Sequence, residues 1–121
     1  MTILRRRADF LAANRGLRAP TTGFVLLVRD RADGDTAMRF GITVTKKIGN
    51  AVVRNRMKRR FRALAREMLP ASGIAGADHV FIGRNSGIER PFNDLRADLA
   101  KALERVARGE SAVRRQPQPR R

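Results

Sequence analysis

The chain has 121 residues, with 27 lysines and arginines against 11 acidic residues, a formal net charge of +16 and no cysteine. This length allows one domain with a modest core, and the missing cysteines exclude disulfides and cysteine-based zinc sites. The large positive excess favours a polyanionic partner, above all a nucleic acid, and does not indicate a fold. No apolar run reaches the ~18 residues that a membrane-spanning helix needs.

The first segment predicts a short amphipathic helix over residues 4–15, with Leu4, Ala8 and Leu11 on one face and Gly16 as its stop. Charged residues interrupt the segment before any long apolar stretch, which excludes a secretory signal. An Arg-rich amphipathic start is also typical of transit peptides, but the default expectation is a cytoplasmic protein.

Strands are predicted over residues 23–29, 38–46 and 79–83. The first has apolar side chains on both faces, so something is expected to cover the face turned away from the main core. In the second, the outward positions are small, polar or cationic, as on a sheet surface that faces nucleic acid; they are Arg39, Gly41, Thr43 and Thr45. Asp33 and Gly34 between these two strands form a typical hairpin turn, which predicts that the two strands pair.

Segments 17–22 and 84–90 are predicted to be connectors, and Pro20 excludes a central strand at its position. Pro70 is expected to end a long helix over about 52–69, and to be followed by a flexible linker. The apolar stripe of that helix consists of Val53, Met57, Phe61, Leu64 and Met68.

A last helix is predicted to begin at Pro91 or Asn93 and to end at Gly109. Its core stripe consists of Phe92, Leu95, Leu99, Leu103 and Val106. The order of helix, strand, strand, helix, strand and helix predicts the α+β class, with a small mixed sheet packed by helices. We expect a single RNA-binding domain over residues 1–109 and a disordered basic tail over residues 110–121.

The long helix gives the strongest functional signal, because no acidic residue lies between Arg54 and Arg66. Like charges four positions apart on a helix repel by a few tenths of a kcal/mol per pair. A bound polyanion would neutralise these charges and remove the repulsion, which explains why no acidic residue separates them. Arginine also binds phosphate through two parallel hydrogen bonds. The candidate nucleic-acid-binding residues are Arg54, Asn55, Arg56, Lys58, Arg59 and Arg62. A first-turn or cap role is the alternative for Asn55, and the stem of Arg60 is expected to cover the core.

The segment GNAVVRNRMKRRFR, preceded by Thr45, Lys46 and Lys47 at the end of a strand, resembles the Arg-Asn-Arg region of the bacterial ribonuclease P protein subunit. The resemblance covers about residues 4–106 and includes Asp9-Phe10 near the start. It implies a ribosomal-protein-like two-layer sandwich with a left-handed βαβ crossover, although the general rule favours right-handed ones. It also implies that the candidate residues above, together with Lys46 and Lys47, bind the catalytic RNA.

The same resemblance implies a cleft between the first helix and the sheet that holds the single-stranded 5′ leader of precursor tRNA. The residues that match it are Phe10, Val25, Leu27 and Thr43. A base stacked on an aromatic ring gains ~1–3 kcal/mol. Asn14 and Leu27 stand where the family often has aromatic residues, so leader binding is expected to depend less on stacking. The alternative for Phe10 is a place in the buried core.

No catalytic residue and no metal ligand is expected in the protein. His79, the single histidine, has no nucleophile or metal partner at a recognisable spacing, so a packing or hydrogen-bonding role is expected. Asp30, Asp33 and Asp35 do not fit the calcium-loop pattern. The resemblance implies instead a subunit of the endoribonuclease that forms the 5′ end of tRNA, in which RNA carries out the hydrolysis with Mg²⁺ bound mainly by that RNA.

The implied partners are the catalytic RNA and precursor tRNA, without a membrane and without a required protein partner. The alternative function is a structural RNA-binding protein of the ribosomal type, with no role in processing. A membrane-surface or DNA-binding basic protein is a further possibility, but no groove-reading motif supports it.

Overall fold

The structure, a computed structural model, describes residues 1–112, and the remainder of the predicted basic tail, residues 113–121, lies outside the described residues. Five strands and three helices follow one another in this part of the chain. They are β1 (Thr2–Ile3), α1 (Arg7–Ala13), β2 (Leu17–Pro20), β3 (Phe24–Asp30), β4 (Arg39–Thr43), α2 (Ala51–Ser72), β5 (Ala77–Gly83) and α3 (Phe92–Ala107). Within residues 1–112, no helix combines the length and the apolar character that crossing a bilayer requires.

The strands form one mixed sheet in the order β1-β4-β5-β3-β2. β5 lies at the centre, parallel to β4 and antiparallel to β3. β4, α2 and β5 therefore form the βαβ unit that the resemblance implies, and the predicted α+β class is confirmed.

The predicted hairpin between β3 and β4 is wrong, because β5 lies between these two strands. The chain does turn at Asp33-Gly34, where Gly34 has a φ of 79°. A local turn preference, however, does not decide which strands pair across the sheet. β5 is buried from Ala77 to Phe81, because β3 and β4 pair with its two edges and helices cover both faces of the sheet.

Two short edge strands were not predicted. β2 occupies part of the predicted connector, and Pro20 is tolerated there because an edge strand needs no hydrogen bond from every residue. At the start of the chain, β1 and the hydrogen bond from Leu4 N to Phe40 O (2.7 Å) replace the first turn of the predicted helix. Leu4 is consequently buried beneath α1.

The prediction that Pro70 ends the long helix is also wrong, because α2 continues to Ser72. A proline this close to the end of a helix removes a single backbone hydrogen bond. The buried Leu69 anchors this last turn to the core, and Gly73 N donates to Leu69 O at 2.8 Å. The predicted flexible linker is accordingly divided between the end of α2, a short turn and the start of β5.

The main core lies between the sheet and the helices α2 and α3. Three rings meet at its centre, with Phe24 5.5 Å from Phe61 and 5.3 Å from Phe81 between ring centroids. Both predicted helical stripes point into this core, except for Val53 at the start of the first stripe, which lies outside it. A second, smaller cluster lies under α1 on the opposite face and confirms that both faces of β3 are covered; it consists of Leu4, Ala13, Val25, Leu27 and Val80.

Candidate nucleic-acid interface

A groove of about 540 Å³ lies between α1 and the face of the sheet that α1 covers. Apolar side chains of three strands line it, and α1 contributes one aromatic, one apolar and one amide side chain. Cationic residues lie at its rim, two before or at the start of α1 and one on α2. The lining consists of Arg5, Arg7, Phe10, Leu11, Asn14, Leu27, Ile42, Thr43, Val44, Lys58, Val80 and Ile82.

The ring of Phe10 is held in this groove by its contact with Gly41 on β4. A Cβ atom at position 41 would lie 2.6 Å from Cε1 of Phe10, so only glycine leaves room for the ring. Gly41 was predicted to face nucleic acid, and this is wrong because Phe10 and Leu4 cover it. Phe10 is half-buried against the smaller cluster and also lines the groove, so its ring is not confined to the core, and its role in binding the leader stays a prediction.

Three of the four predicted cleft residues, Phe10, Leu27 and Thr43, line the groove. Val25 pairs with Ile82 in the sheet and lies outside the lining. Val80 and Ile82 were not predicted to belong to the groove. The alternation of side chains along β5 could have identified them, because residues 78, 80 and 82 lie on the same face of the sheet, which α1 covers.

The candidate RNA-binding residues of α2 lie on two flanks of the helix. We call one flank the ridge; it consists of Arg54, Lys58, Arg59, Arg62 and Arg66. Arg54 Nε donates to Gly49 O at 3.2 Å, and Lys58 reaches the rim of the groove. Within residues 1–112, no acidic side chain lies within ion-pair distance of the ridge.

Two further features border the ridge. Lys46 and Lys47 are exposed on a 3-10 helix just before α2. Asn55 is exposed on α2, while Asn50 is the N-cap and its side chain accepts from Val53 N at 3.0 Å. The capping alternative for Asn55 is therefore wrong.

The other flank of α2 holds the loop between β5 and α3. Arg56 Nη1 donates to Ile88 O at 3.2 Å and lies 3.9 Å from Glu89 Oε1, while half of its side chain remains exposed. Arg60 donates to the carbonyl oxygens of Ile88 and Arg90. Burial and the charge of Arg56 lower the pKa of Arg60. Arg60 therefore stabilises the loop between β5 and α3. Arg56 contributes to the same contact with part of its side chain.

A second group of arginines surrounds one fully buried carboxylate, and we call it the Asp78 cluster. Asp78 accepts two hydrogen bonds of 2.7 Å from Arg39 and one of 2.9 Å from Arg31, and Arg29 lies 3.8 Å away. Burial acts to raise the pKa of Asp78, but these hydrogen bonds outweigh it and hold the pKa below its usual range. Asp78 is therefore ionised, and its arginines are already paired with a carboxylate.

The Asp78 cluster was missed because Asp78 was assigned to the position before the third strand. It links the sheet to α1, since Arg39 also lies 3.5 Å from Asp9 of that helix. The cluster thus lies at one end of the face that α1 covers, while the groove opens at the other end of the same strands.

His79 is buried at the centre of the sheet. Its Nε2 accepts a hydrogen bond from Ile74 N at 3.0 Å, and its Nδ1 lies 3.3 Å from Arg39 O. Burial lowers the pKa of His79, which favours the neutral ring with its proton on Nδ1. The predicted hydrogen-bonding role is confirmed. Within residues 1–112, no three acidic, cysteine or histidine side chains lie where they could hold a metal ion together.

Comparison with known proteins supports one family. The chain is similar to the ribonuclease P protein component of Erythrobacter litoralis, with 58% identity over 93% of this chain and 92% of that protein. It is similar to the same component of Ruegeria pomeroyi, with 44% identity over 88% of this chain and 86% of that protein.

Two solved structures have the same fold. The RNase P protein of Staphylococcus aureus matches with a TM-score of 0.72 and 27% identity, over 86% of this chain and 94% of that one. The RNase P protein of Thermotoga maritima matches with a TM-score of 0.71 and 32% identity, over 84% of this chain and 94% of that one. Since the family model described as Ribonuclease P also matches residues 2–107, the chain belongs to the ribonuclease P protein family.

Proposed function

We propose that this chain is the protein subunit of a bacterial ribonuclease P, in which the RNA subunit removes the 5′ leader of precursor tRNA by Mg²⁺-dependent hydrolysis. The observation that supports this most strongly is the position of an apolar groove with a cationic rim directly beside the ridge of α2. Lys58 belongs to both, so two RNA-binding surfaces meet at this residue.

The ridge is the surface for the catalytic RNA. Arg59 and Arg66 are exposed while Arg54 and Arg62 are half-buried, and each ridge arginine that neutralises a phosphate releases counterions into solution. From the ridge we assign Arg54, Lys58, Arg59 and Arg62 to this surface. Asn55 and Arg56 of α2, and Lys46 and Lys47 on the 3-10 helix before it, complete the set. Arg56 contributes the exposed half of its side chain.

The groove is the surface for the single-stranded leader. Phe10 is held by its contact with Gly41, so its ring is oriented before a base stacks on it. Leu27 and Thr43 line the groove together with Phe10, and Val25 packs in the smaller apolar cluster under α1. Arg5 and Arg7 at the rim are placed to contact phosphates of the same strand. An apolar floor under a cationic rim suits a leader of variable sequence.

This arrangement gives the protein a supporting role in the reaction. By neutralising phosphates of two RNAs, it lowers their mutual repulsion and increases the affinity of the holoenzyme for substrates that carry a leader. We assign the Mg²⁺ mainly to the RNA, and every catalytic step as well. The side chains of this protein bind and orient the two strands.

Reconstitution tests the proposed function. The purified chain is added to a bacterial ribonuclease P RNA at low Mg²⁺ concentration, and 5′ processing of precursor tRNA is measured. We expect the protein to restore cleavage that the RNA alone performs poorly under these conditions. Cleavage by the protein without RNA, or no help to any such RNA, would contradict the proposal.

A second measurement separates this function from that of a structural RNA-binding protein. Phe10→Ala should weaken binding of leader-bearing precursor by ~1–3 kcal/mol, the value of one stacked base, and leave binding of mature tRNA unchanged. Phe10→Leu is the matched control, because it keeps apolar volume over Gly41 and removes only the ring. Equal affinity of the unmodified holoenzyme for precursor and mature tRNA would favour the structural alternative.

A further inference from the structure

A second and smaller groove continues from the first at the end of α1. Its volume is about 210 Å³, and two of its lining residues, Asn14 and Leu27, also line the larger groove. The complete lining consists of Asn14, Gly16, Arg18, Leu27, Ser111 and Ala112. The two grooves therefore adjoin at Asn14 and Leu27, and together they mark a path from the rim at Lys58 past Phe10 to the end of α1.

The outer wall of the second groove is held in place by two hydrogen bonds to the backbone of Arg18. Arg18 N donates to Ser111 Oγ at 2.9 Å, and Ala112 N donates to Arg18 O at 2.8 Å. Arg18 lies on β2, the edge strand, whose outer backbone groups would otherwise have no partner in the sheet. Residues 111 and 112 therefore lie along β2 and form a defined wall, although they belong to the segment predicted to be a disordered tail.

The chemistry of this groove suits single-stranded RNA. One cation, one amide, one hydroxyl and two apolar side chains line it, and no acidic residue does. Arg18 can neutralise a phosphate, and the exposed methyl group of Ala112 offers an apolar contact to a base. The side chain of Asn14 is exposed and makes no hydrogen bond within residues 1–112, so its amide can bind a base edge.

We propose that the leader follows this path, so that nucleotides farther from the cleavage site bind between the end of α1 and the wall formed by Ser111 and Ala112. This inference rests on the proposed function, because it requires that the larger groove holds the leader. It adds a binding site on β2 and on the segment after α3, at which leaders long enough to pass Asn14 gain contacts that shorter leaders lack.

Crosslinking distinguishes the two claims. The holoenzyme is mixed with precursor tRNAs that carry one photoreactive uridine at successive leader positions, and the crosslinked peptides are identified. We expect positions near the cleavage site to crosslink to the peptide containing Phe10, and more distant positions to crosslink to peptides containing Arg18 or Ser111. Crosslinks at Phe10 that never extend to those two peptides would overturn the inference alone. An absence of crosslinks at both places would overturn the proposed function as well.

Affinity as a function of leader length gives an independent test. Arg18→Ala should weaken binding of long-leader precursor roughly two- to fivefold, the range for one exposed ionic contact, and leave short-leader precursor unaffected. Lys101→Ala is the matched control, because it removes the same charge from the exposed surface of α3, away from both grooves. Equal losses for long and short leaders would overturn the inference.

Truncation shows whether the wall formed by Ser111 and Ala112, or the residues after it, causes the dependence of affinity on leader length. A chain that ends at Ala112 should retain the dependence on leader length, and a chain that ends at Glu110 should lose it. If the dependence on leader length is already lost when residues 113–121 are removed, the charges of that segment account for the effect and the inference fails. If their removal instead strengthens binding of long leaders, that segment competes for the groove, which also contradicts the inference.

Discussion

The ridge of α2 and the Asp78 cluster are both groups of arginines, yet they have opposite relations to acidic residues. In the Asp78 cluster, Arg31 and Arg39 donate directly to a carboxylate that is fully buried. On the ridge, Arg59 and Arg62 have no acidic partner within residues 1–112. The first group stabilises the sheet, and the second remains available for phosphates.

This difference shows that the number of arginines in a segment does not by itself identify a nucleic-acid surface. Arg39 was predicted to lie on a face exposed to nucleic acid, but a carboxylate from the neighbouring strand neutralises it. The pairing of each cation decides its role, and that pairing depends on strand neighbours that are distant in the chain. Three measurements test the contrast.

The largest effect is expected at the Asp78 cluster. Asp78→Asn removes the charge that two buried or half-buried arginines share, and breaking such a pair costs ~3–5 kcal/mol. We expect the free energy of unfolding, measured by urea denaturation, to fall by about that amount. Asp94→Asn is the control, because Asp94 is exposed on α3, and its effect should stay within ~0.5 kcal/mol. Equal stabilities of the two variants would show that Asp78 does not hold the sheet together.

A smaller effect, on binding instead of stability, is expected on the ridge. Arg59→Ala and Arg62→Ala should each reduce the slope of log affinity against log salt by about one unit for the catalytic RNA. Stability should not decrease, since the variants relieve repulsion of a few tenths of a kcal/mol. Arg96→Ala loses the same charge from a pair with Glu67 and serves as the control. An unchanged slope in the ridge variants would mean that these side chains do not contact phosphate.

The smallest effect is expected at His79, whose ring lies beside the backbone of Arg39. Because burial lowers its pKa, the unfolded chain takes up a proton near pH ~6.5 before the folded chain does. Stability is therefore fully present above that pH and falls as the solution becomes more acidic. Between pH 7.5 and 6 we expect a loss of less than ~1 kcal/mol, measured by denaturation at each pH.

The control for this measurement is His79→Gln, which cannot titrate in this range. Its stability, whatever its absolute value, should vary less between pH 7.5 and 6 than that of the unmodified chain. A parallel dependence in both proteins would assign the acid sensitivity to another group.

Much of the local structure could be predicted from the sequence. The stripes of α2 and α3 and the two-faced apolar pattern of β3 were recognisable, because each depends on spacing within one segment. The strand pairing could not be predicted, because a hairpin turn at Asp33-Gly34 is compatible with β3 and β4 whether or not β5 inserts between them. β1 and β2 are too short for a clear alternation, and Pro20 made the second resemble a connector.

Part of the candidate site could likewise be predicted from the sequence. Spacing identified the ridge, and the family resemblance identified Phe10, Leu27 and Thr43 as groove residues. Neither could show that Val80 and Ile82 complete the floor, since this requires knowing which face of β5 meets α1. The contact between Phe10 and Gly41 also depends on the packing of two elements that are far apart in the chain.

The central position of β5 has a consequence for synthesis on the ribosome. β1–β4 and β2–β3 are the only strand pairs of residues 1–112 that exist without it, and β5 alone joins them into one sheet. A nascent chain that has emerged only as far as Gly76 therefore has two separate ribbons and a cationic helix with no sheet on which to pack. The protein can reach its fold only after translation has passed Gly83, and a fragment that ends earlier should remain largely unfolded.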